Sequence, residues 1–108
     1  MLNEVTFVEA ARALAARMMK EGGATNAERM AFGFRLTTCR EPKTAEVNVL
    51  LQGWATDQAS FKAAPENTKQ LLAVGDSKVS SDIDPVELAT WTVSANVLLN
   101  LDEVVTRE

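Results

Sequence analysis

Residues 84–107, DPVELATWTVSANVLLNLDEVVTR, open with three signals of a helix start. Asp84 is a suitable N-cap, Pro85 fits the first helical position, and Glu87 stands where a capping-box glutamate does. The sequence therefore predicts a helix that runs from Pro85 to about Arg107.

Polar side chains of this helix divide into two opposed stripes, because successive residues are turned by about 100°. One stripe holds Glu87, Thr90 and Ser94, and the other holds Asn96, Asn100, Glu103 and Arg107. Apolar flanks lie between them, with Leu88, Trp91, Ala95, Leu98 and Leu99 on one side and Val86, Val93, Val97 and Val104 on the other. A helix with two apolar flanks is expected to contact neighbours on both, which predicts a central position in the fold.

The asparagines of this helix allow two interpretations. Asn96 and Asn100 either bond to loop backbone or remain at a wet edge, or they face, together with Glu103, a partner or a segment missing from this chain. Amide side chains whose bonds are satisfied can fix the register of packed helices. The sequence leaves both interpretations open.

The first helix is predicted from a capping box at Thr6 and Glu9, and it is expected to reach about Glu21. Gly22 and Gly23 end it, since glycine adopts the left-handed backbone that terminates helices. Its inner row comprises Phe7, Ala11, Leu14 and Met18, whereas Glu9, Arg12, Lys20 and Glu21 fall outside that row.

A second capping box, Thr25 with Glu28, predicts a helix over about 26–39 that stops before Pro42. Its shared face comprises Ala27, Met30, Ala31, Phe34 and Thr38. Thr44 is expected to cap a third helix, over about 45–62, with Val47, Leu50, Leu51, Trp54, Gln58 and Phe61 on its inner stripe. Gly53 within it is expected to let two helices approach closely.

A short fourth helix is predicted over about 65–73, where Pro65 takes the first position and Gly75 closes the element. Residues 76–84 then form one long polar connection. No segment alternates with period two for long enough to predict a strand. The expected fold is all-α, a compact bundle of about five helices with the last helix central, in a single domain over 1–108.

Composition narrows the range of functions. The chain has 108 residues and a net charge of -4, which disfavours nucleic acid as a partner, and it has no apolar run long enough to cross a membrane. It contains no His and a single Cys, so a c-type haem attachment is excluded and the usual general base is missing. We expect no enzyme activity, no cofactor and no metal. Cys39 is expected to be a small buried hydrophobe.

Several blocks occur together in order: FVEAARALA at 7–15, GGA at 22–24, FRL at 34–36 before REP at 40–42, LLAVG at 71–75, and LATWT at 88–92 before LLNLDE at 98–103. With these blocks the chain resembles the C-terminal part of the planctomycete-type domain of unknown function 1553, also called the planctomycete-specific cytochrome-associated domain. The resemblance covers about residues 2–108.

The resemblance implies a larger exported parent, with a cytochrome c-like haem domain upstream and a periplasmic or cell-surface location. Because the matching segment directly follows Met1, the chain is expected to be a fragment, the product of a truncated gene or an excised domain of such a parent. The activity of that family is undefined, so no catalytic residue is carried over. The positions where the family pattern has its recurring residues are Arg40, Pro42, Trp91, Asn100, Asp102 and Glu103.

The leading hypothesis is a non-catalytic helical packing or protein-interaction module whose partner is the upstream part of a larger parent or another protein. The alternative is that it completes the active site or haem environment of a parent oxidoreductase or hydrolase. A third reading is a pocket for a small apolar ligand among Met and Phe side chains, which needs a cavity of a few hundred Å³. The candidate interaction residues are Arg40, Trp91, Asn96, Asn100, Asp102 and Glu103.

Overall fold

Helices make up nearly all of the structure, a computed structural model that describes residues 4–73 and 84–106. Within those ranges there are five helices and no strand: α1 (Glu4–Glu21), α2 (Asn26–Thr38), α3 (Thr44–Ala63), α4 (Pro65–Ala73) and α5 (Pro85–Thr106). The radius of gyration is 13.3 Å, close to the ~13 Å of a folded domain of this size. The prediction of an all-α bundle of about five helices is confirmed.

The last helix is central, as predicted, because α5 contacts each of the other four helices. Residues 88–92 are all buried, so this part of α5 is covered on every side. Two threonines there keep their hydroxyls satisfied within the helix: Thr90 donates to the carbonyl of Val86 at 2.7 Å, and Thr92 donates to that of Leu88 at 2.6 Å. Such local bonds let polar side chains lie in the interior without a partner on another helix.

The core gathers buried side chains from α1, α2, α3 and α5. Its members are Ala11, Ala15, Met18, Met30, Phe34, Trp54, Leu88, Trp91, Ala95 and Leu98. Burial of apolar side chains such as these is the main favourable term in folding. Met18 and Met30 are fully buried, which confirms their predicted places on the inner faces of α1 and α2.

The start of α5 follows from its local sequence. Asp84 precedes the helix, and its side chain accepts the N–H of Val86 at 3.2 Å. Pro85 takes the first helical position, where the missing N–H has no intrahelical role. The polar connection predicted over 76–84 otherwise lies outside the described residues.

Of the capped starts predicted for α1, α2 and α3, only that of α2 is confirmed. Thr25 caps α2 by accepting the N–H of Glu28 at 3.1 Å, as expected. Thr6, however, is not an N-cap, because α1 already begins at Glu4. Thr44 is the first residue of α3, and the residue before it, Lys43, donates its N–H to the Glu46 carboxylate at 2.8 Å. The Glu46 carboxylate therefore holds the N–H of the N-cap residue, which is the glutamate half of a capping box.

The burial predicted for Cys39 is wrong. The residue is exposed and lies directly after α2, with a left-handed φ of 61°. Its N–H donates to the carbonyl of Arg35 at 2.9 Å, which closes the helix end. A residue at such a helix terminus turns away from the packed face, and the apolar character of Cys could not reveal this.

Arg12 and Ala27 also depart from the predicted faces. Arg12, expected outside the packed row of α1, is 5% exposed, whereas Ala27, expected on the inner face of α2, is exposed. A single row of apolar residues at helical spacing predicts the buried face of a helix that packs against one neighbour. Because α1 packs against both α2 and α5, its buried surface is wider than that row.

The close approach of helices occurs at Gly33 and not at Gly53. A Cβ built on Gly53 would meet no atom within 4 Å, whereas one on Gly33 would lie 2.6 Å from Met18 Sδ and 2.9 Å from Leu98 Cδ1. Gly33 therefore lets α2 pack closely against side chains of α1 and α5. Gly53 lies on the exposed side of α3, so it contributes no packing and only its lower helix propensity.

Candidate functional site

An open apolar groove lies among α2, α3 and α5 and encloses a volume of about 450 Å³. We call this feature the groove. It is lined by Phe34, Ala45, Glu46, Val49, Leu50, Val97 and Leu101. Glu46 is the one charged side chain among these seven.

The groove lies at one end of α3 and α5, which run antiparallel. Gln58 pairs with Glu87, and Trp54 packs on Trp91, so residue numbers fall along α3 as they rise along α5. The first turns of α3 therefore lie beside the last described turns of α5.

The side chains of α5 become more exposed toward the end of the helix that lies beside the start of α3. Residues 88–92 are enclosed, but Val97 is 41% exposed and Leu101 is 36% exposed. On the facing helix Val49 is 66% exposed. Val97 and Leu101 are one helical turn apart, as are Ala45 and Val49, so each helix presents a short apolar row to the groove. These rows form an apolar surface that no described part of the chain covers.

Arg40 lies at the rim of the groove and joins the end of α2 to the start of α3. Its two terminal nitrogens donate to the two oxygens of Glu46 at 3.1 and 2.8 Å. The same guanidinium lies 4.7 Å from the centre of the Phe34 ring, within the range of a cation–π contact. A bidentate pair of this kind fixes the position of the arginine more tightly than a single contact would.

The Glu46 carboxylate is held in its charged form. Its hydrogen bond with Arg40, the largest cause, and that with the Lys43 backbone lower its pKa to about 2. The folded-state pKa lies below the ordinary value of 4.5, so the pair favours folding above pH 4.5 and loses that effect as the pH falls toward about 2. The pair is solvent-exposed, which keeps its contribution modest.

We therefore expect carbon-detected NMR to show the Glu46 carboxyl titrating near pH 2, below the ordinary value of 4.5. Arg40→Ala removes the main cause, so the pKa of Glu46 is expected to rise toward 4.5. Arg35→Ala is the control, because Arg35 pairs at 3.4 Å with Glu41 and not with Glu46. An unchanged Glu46 titration in Arg40→Ala would show that the two side chains do not pair in solution.

A second contact holds α3 against α5 in the interior. Trp54 and Trp91 pack with ring centroids 5.4 Å apart and planes tilted by 48°. The Trp91 indole N–H donates to one Glu87 oxygen at 3.3 Å, and Gln58 donates to the other at 3.0 Å. The Glu87 carboxylate thus joins Trp91 to Gln58 and ties α3 to α5, whereas the shielded Trp54 indole N–H has no hydrogen-bond partner among the described residues.

The structure places the six predicted interaction residues in different environments. Trp91 is fully buried, so it belongs to the core and offers no surface contact. Arg40 is exposed at the groove rim, Asn96 is half-buried and Asn100 is exposed. Asp102 and Glu103 continue the backbone of α5, and their side chains lie outside the described residues.

The sequence interpretation missed Val49 as a surface residue. Val49 does not belong to the predicted inner stripe of α3. An apolar side chain outside a packed stripe is the signal that could have predicted an exposed apolar residue here. Val97 was assigned to a packed flank, and nothing in the spacing distinguishes it from Val93 one turn earlier, which is half-buried. Met18 and Met30 do not line the groove, so the predicted Met and Phe pocket is not what the structure forms there.

Two further features concern ligands and membranes. In the described part of the chain, no three His, Cys, Asp or Glu side chains are placed to hold a metal ion. None of the helices in that same part is long and apolar enough to span a bilayer.

No family model, no curated protein and no solved structure matches this chain. The resemblance to the planctomycete-type domain therefore stays a prediction.

Proposed function

We propose that the chain is a non-catalytic helical interaction module that binds an amphipathic helix of a protein partner in the groove. The observation that carries the proposal is the pair of uncovered apolar rows on α3 and α5. A helix laid between two such rows buries its own apolar face, a recurrent mode of peptide recognition. The upstream part of a larger parent is the partner that the resemblance implies.

The size and charge of the surface favour a helix over a second copy of the chain. A stable dimer buries about 800 Å² on each partner, whereas the large apolar side chains exposed at the groove are Val49, Val97 and Leu101. Two copies would also each bring a net charge of -4. A short helix needs less area, and a covalent link within one parent would raise its effective concentration.

The test uses a displayed library of 16-residue peptides designed to be helical, with apolar residues at positions i, i+4, i+7 and i+11 and random residues elsewhere. We expect the wild-type chain to enrich peptides from this library and none from a matched library in which the same four positions are polar. Val97→Asp should weaken the selected peptides by about tenfold or more, because it places a carboxylate against their apolar face.

Leu36→Asp is the matched control. Leu36 lies on α2 outside the groove and is 40% exposed, almost the same as Val97 at 41%. Its substitution should change the affinity by less than about twofold, and urea unfolding of both variants checks that they remain folded. If the wild type selected no peptide, or if Val97→Asp and Leu36→Asp weakened binding equally, the groove would not be the docking site.

A further inference from the structure

The groove is short along the two helices that form its walls. Val97 and Leu101 are separated by about 6 Å along α5, and Ala45 and Val49 by the same distance along α3. A docked helix of 16 residues is about 24 Å long, so most of its length lies outside the groove. On a helix that follows α3 and α5, side chains one turn apart are separated by the whole length of the groove. One side chain of the docked helix can therefore point toward its middle.

The groove is large for a single aliphatic side chain. Its volume is about 450 Å³, whereas an apolar cavity of about 150 Å³ already holds a benzene molecule. Leucine and valine side chains have fewer heavy atoms than benzene. Either would leave much of the groove unfilled, and lining atoms that face unfilled space lose their packing contacts. The volume therefore favours the largest apolar side chains, those of Trp and Phe.

The lining of the groove favours an uncharged side chain. Glu46 is the one charged residue among the lining residues, and both of its carboxylate oxygens already accept hydrogen bonds, from Arg40 and from the Lys43 N–H. A basic side chain of the partner would therefore gain little from this carboxylate. An acidic one would be repelled by it and would lie unpaired against Val49 and Val97.

Among large apolar side chains, an aromatic ring loses little conformational freedom when it binds. Its position is set by two side-chain torsions, whereas Met has three rotatable bonds and is flexible. Aromatic residues that fill a pocket near the centre of an interface are also the ones that contribute most to binding. Size, charge and rigidity thus favour the same kind of side chain.

We propose that the docked helix fills the groove with one aromatic anchor, the side chain of a Trp or Phe in its apolar face, and makes its other contacts outside the groove. The inference rests on the proposed function and names the chemistry of the partner: an amphipathic helix with one large aromatic residue among smaller apolar ones. The anchor sets the register of the partner, because no other side chain of that face fills the groove.

The experiment determines the residue types at the four apolar positions of the selected peptides, where the library supplies Ala, Val, Leu, Ile, Met, Phe and Trp equally. The wild type should enrich Phe or Trp at one of these positions and accept any apolar residue at the other three. Replacing the enriched aromatic residue by Leu should weaken a selected peptide by about tenfold or more. The same replacement at the other three positions should change the affinity by less than about threefold.

Ala45→Leu tests whether the aromatic residue occupies the groove. Ala45 is exposed and lines the groove, so the added carbon atoms reduce the space for an anchor. Peptides selected by this variant should carry a smaller apolar residue at the anchor position. Ala55→Leu is the matched control, an exposed alanine of the same helix outside the groove, and it should select the same anchor as the wild type.

A second readout locates the ring by NMR. Methyl signals shift strongly beside an aromatic ring and far less beside a leucine. At saturation, a selected peptide should shift the methyl signals of Val49, Val97 and Leu101, and the same peptide with Leu at the anchor position should shift them far less. The methyl signals of Leu36, which lies outside the groove, should stay in place with both peptides.

Three results would overturn the inference: selected peptides with aliphatic residues at all four positions, an Ala45→Leu variant that keeps the aromatic anchor of the control, or equal methyl shifts with both peptides. Each could occur while Val97→Asp still weakens binding, which would leave the docking proposal standing. A wild type that selects no peptide would overturn both proposals together.

Discussion

Trp91→Ala is expected to lower the free energy of unfolding by about 3–5 kcal/mol, because it removes the largest fully buried side chain of the central helix. The indole packs on Trp54 at a centroid distance of 5.4 Å and donates its N–H to Glu87. Its loss leaves a cavity where α3 and α5 meet and removes one donor from a half-buried carboxylate. A domain of this kind has a total stability of about 5–15 kcal/mol, so the variant should unfold far more readily.

Urea unfolding followed by far-ultraviolet circular dichroism measures this effect, since the signal reports helix content and does not depend on the deleted indole. Val49→Ala is the control, because Val49 is 66% exposed and its truncation should change stability by no more than about 0.5 kcal/mol. A loss below about 1 kcal/mol in Trp91→Ala would contradict the central position of this side chain.

The helices could be predicted because the sequence signals that mark helix starts are local. Asp84 with Pro85 marks the start of α5, and Thr25 with Glu28 marks that of α2; the structure has a helix beginning at both places. The central position of α5 was also readable, since its two apolar flanks require neighbours on both sides. Signals of this kind act over three or four residues, which a sequence displays directly.

Features set by contacts between helices could not be read in the same way. Gly33 and Gly53 both lie inside helices of similar composition, and only the arrangement of the bundle makes the first a close contact and leaves the second open. Arg12 is buried for the same reason. The candidate site belongs to this class, because Val93 and Val97 lie one turn apart on the same flank and only Val97 is exposed.

Leu98→Ala should lower the free energy of unfolding by about 2–5 kcal/mol, since Leu98 is fully buried and its truncation leaves a cavity. The loss of stability in Leu98→Ala should depend on which residue occupies position 33. Gly33→Ala alone is expected to destabilise by about 1–3 kcal/mol through overpacking, partly offset by about 1 kcal/mol of helix propensity. When Leu98 Cδ1 is gone, one of the short contacts to the added Cβ is gone as well.

The double variant Gly33→Ala/Leu98→Ala should therefore be more stable than the sum of the single effects predicts, by about 0.5 kcal/mol or more. The remaining short contacts are to the Sδ and Cε atoms of Met18, which lie at the end of a flexible side chain and can shift. Gly53→Ala supplies the control cycle, because its Cβ meets no atom within 4 Å. It should stabilise by up to about 1 kcal/mol and add to Leu98→Ala without coupling. Equal coupling in both cycles, measured by urea unfolding, would mean that α2 and α5 do not meet at Gly33. The packing of α2 against α5 next to Phe34, which lines the groove, would then be different from the one described.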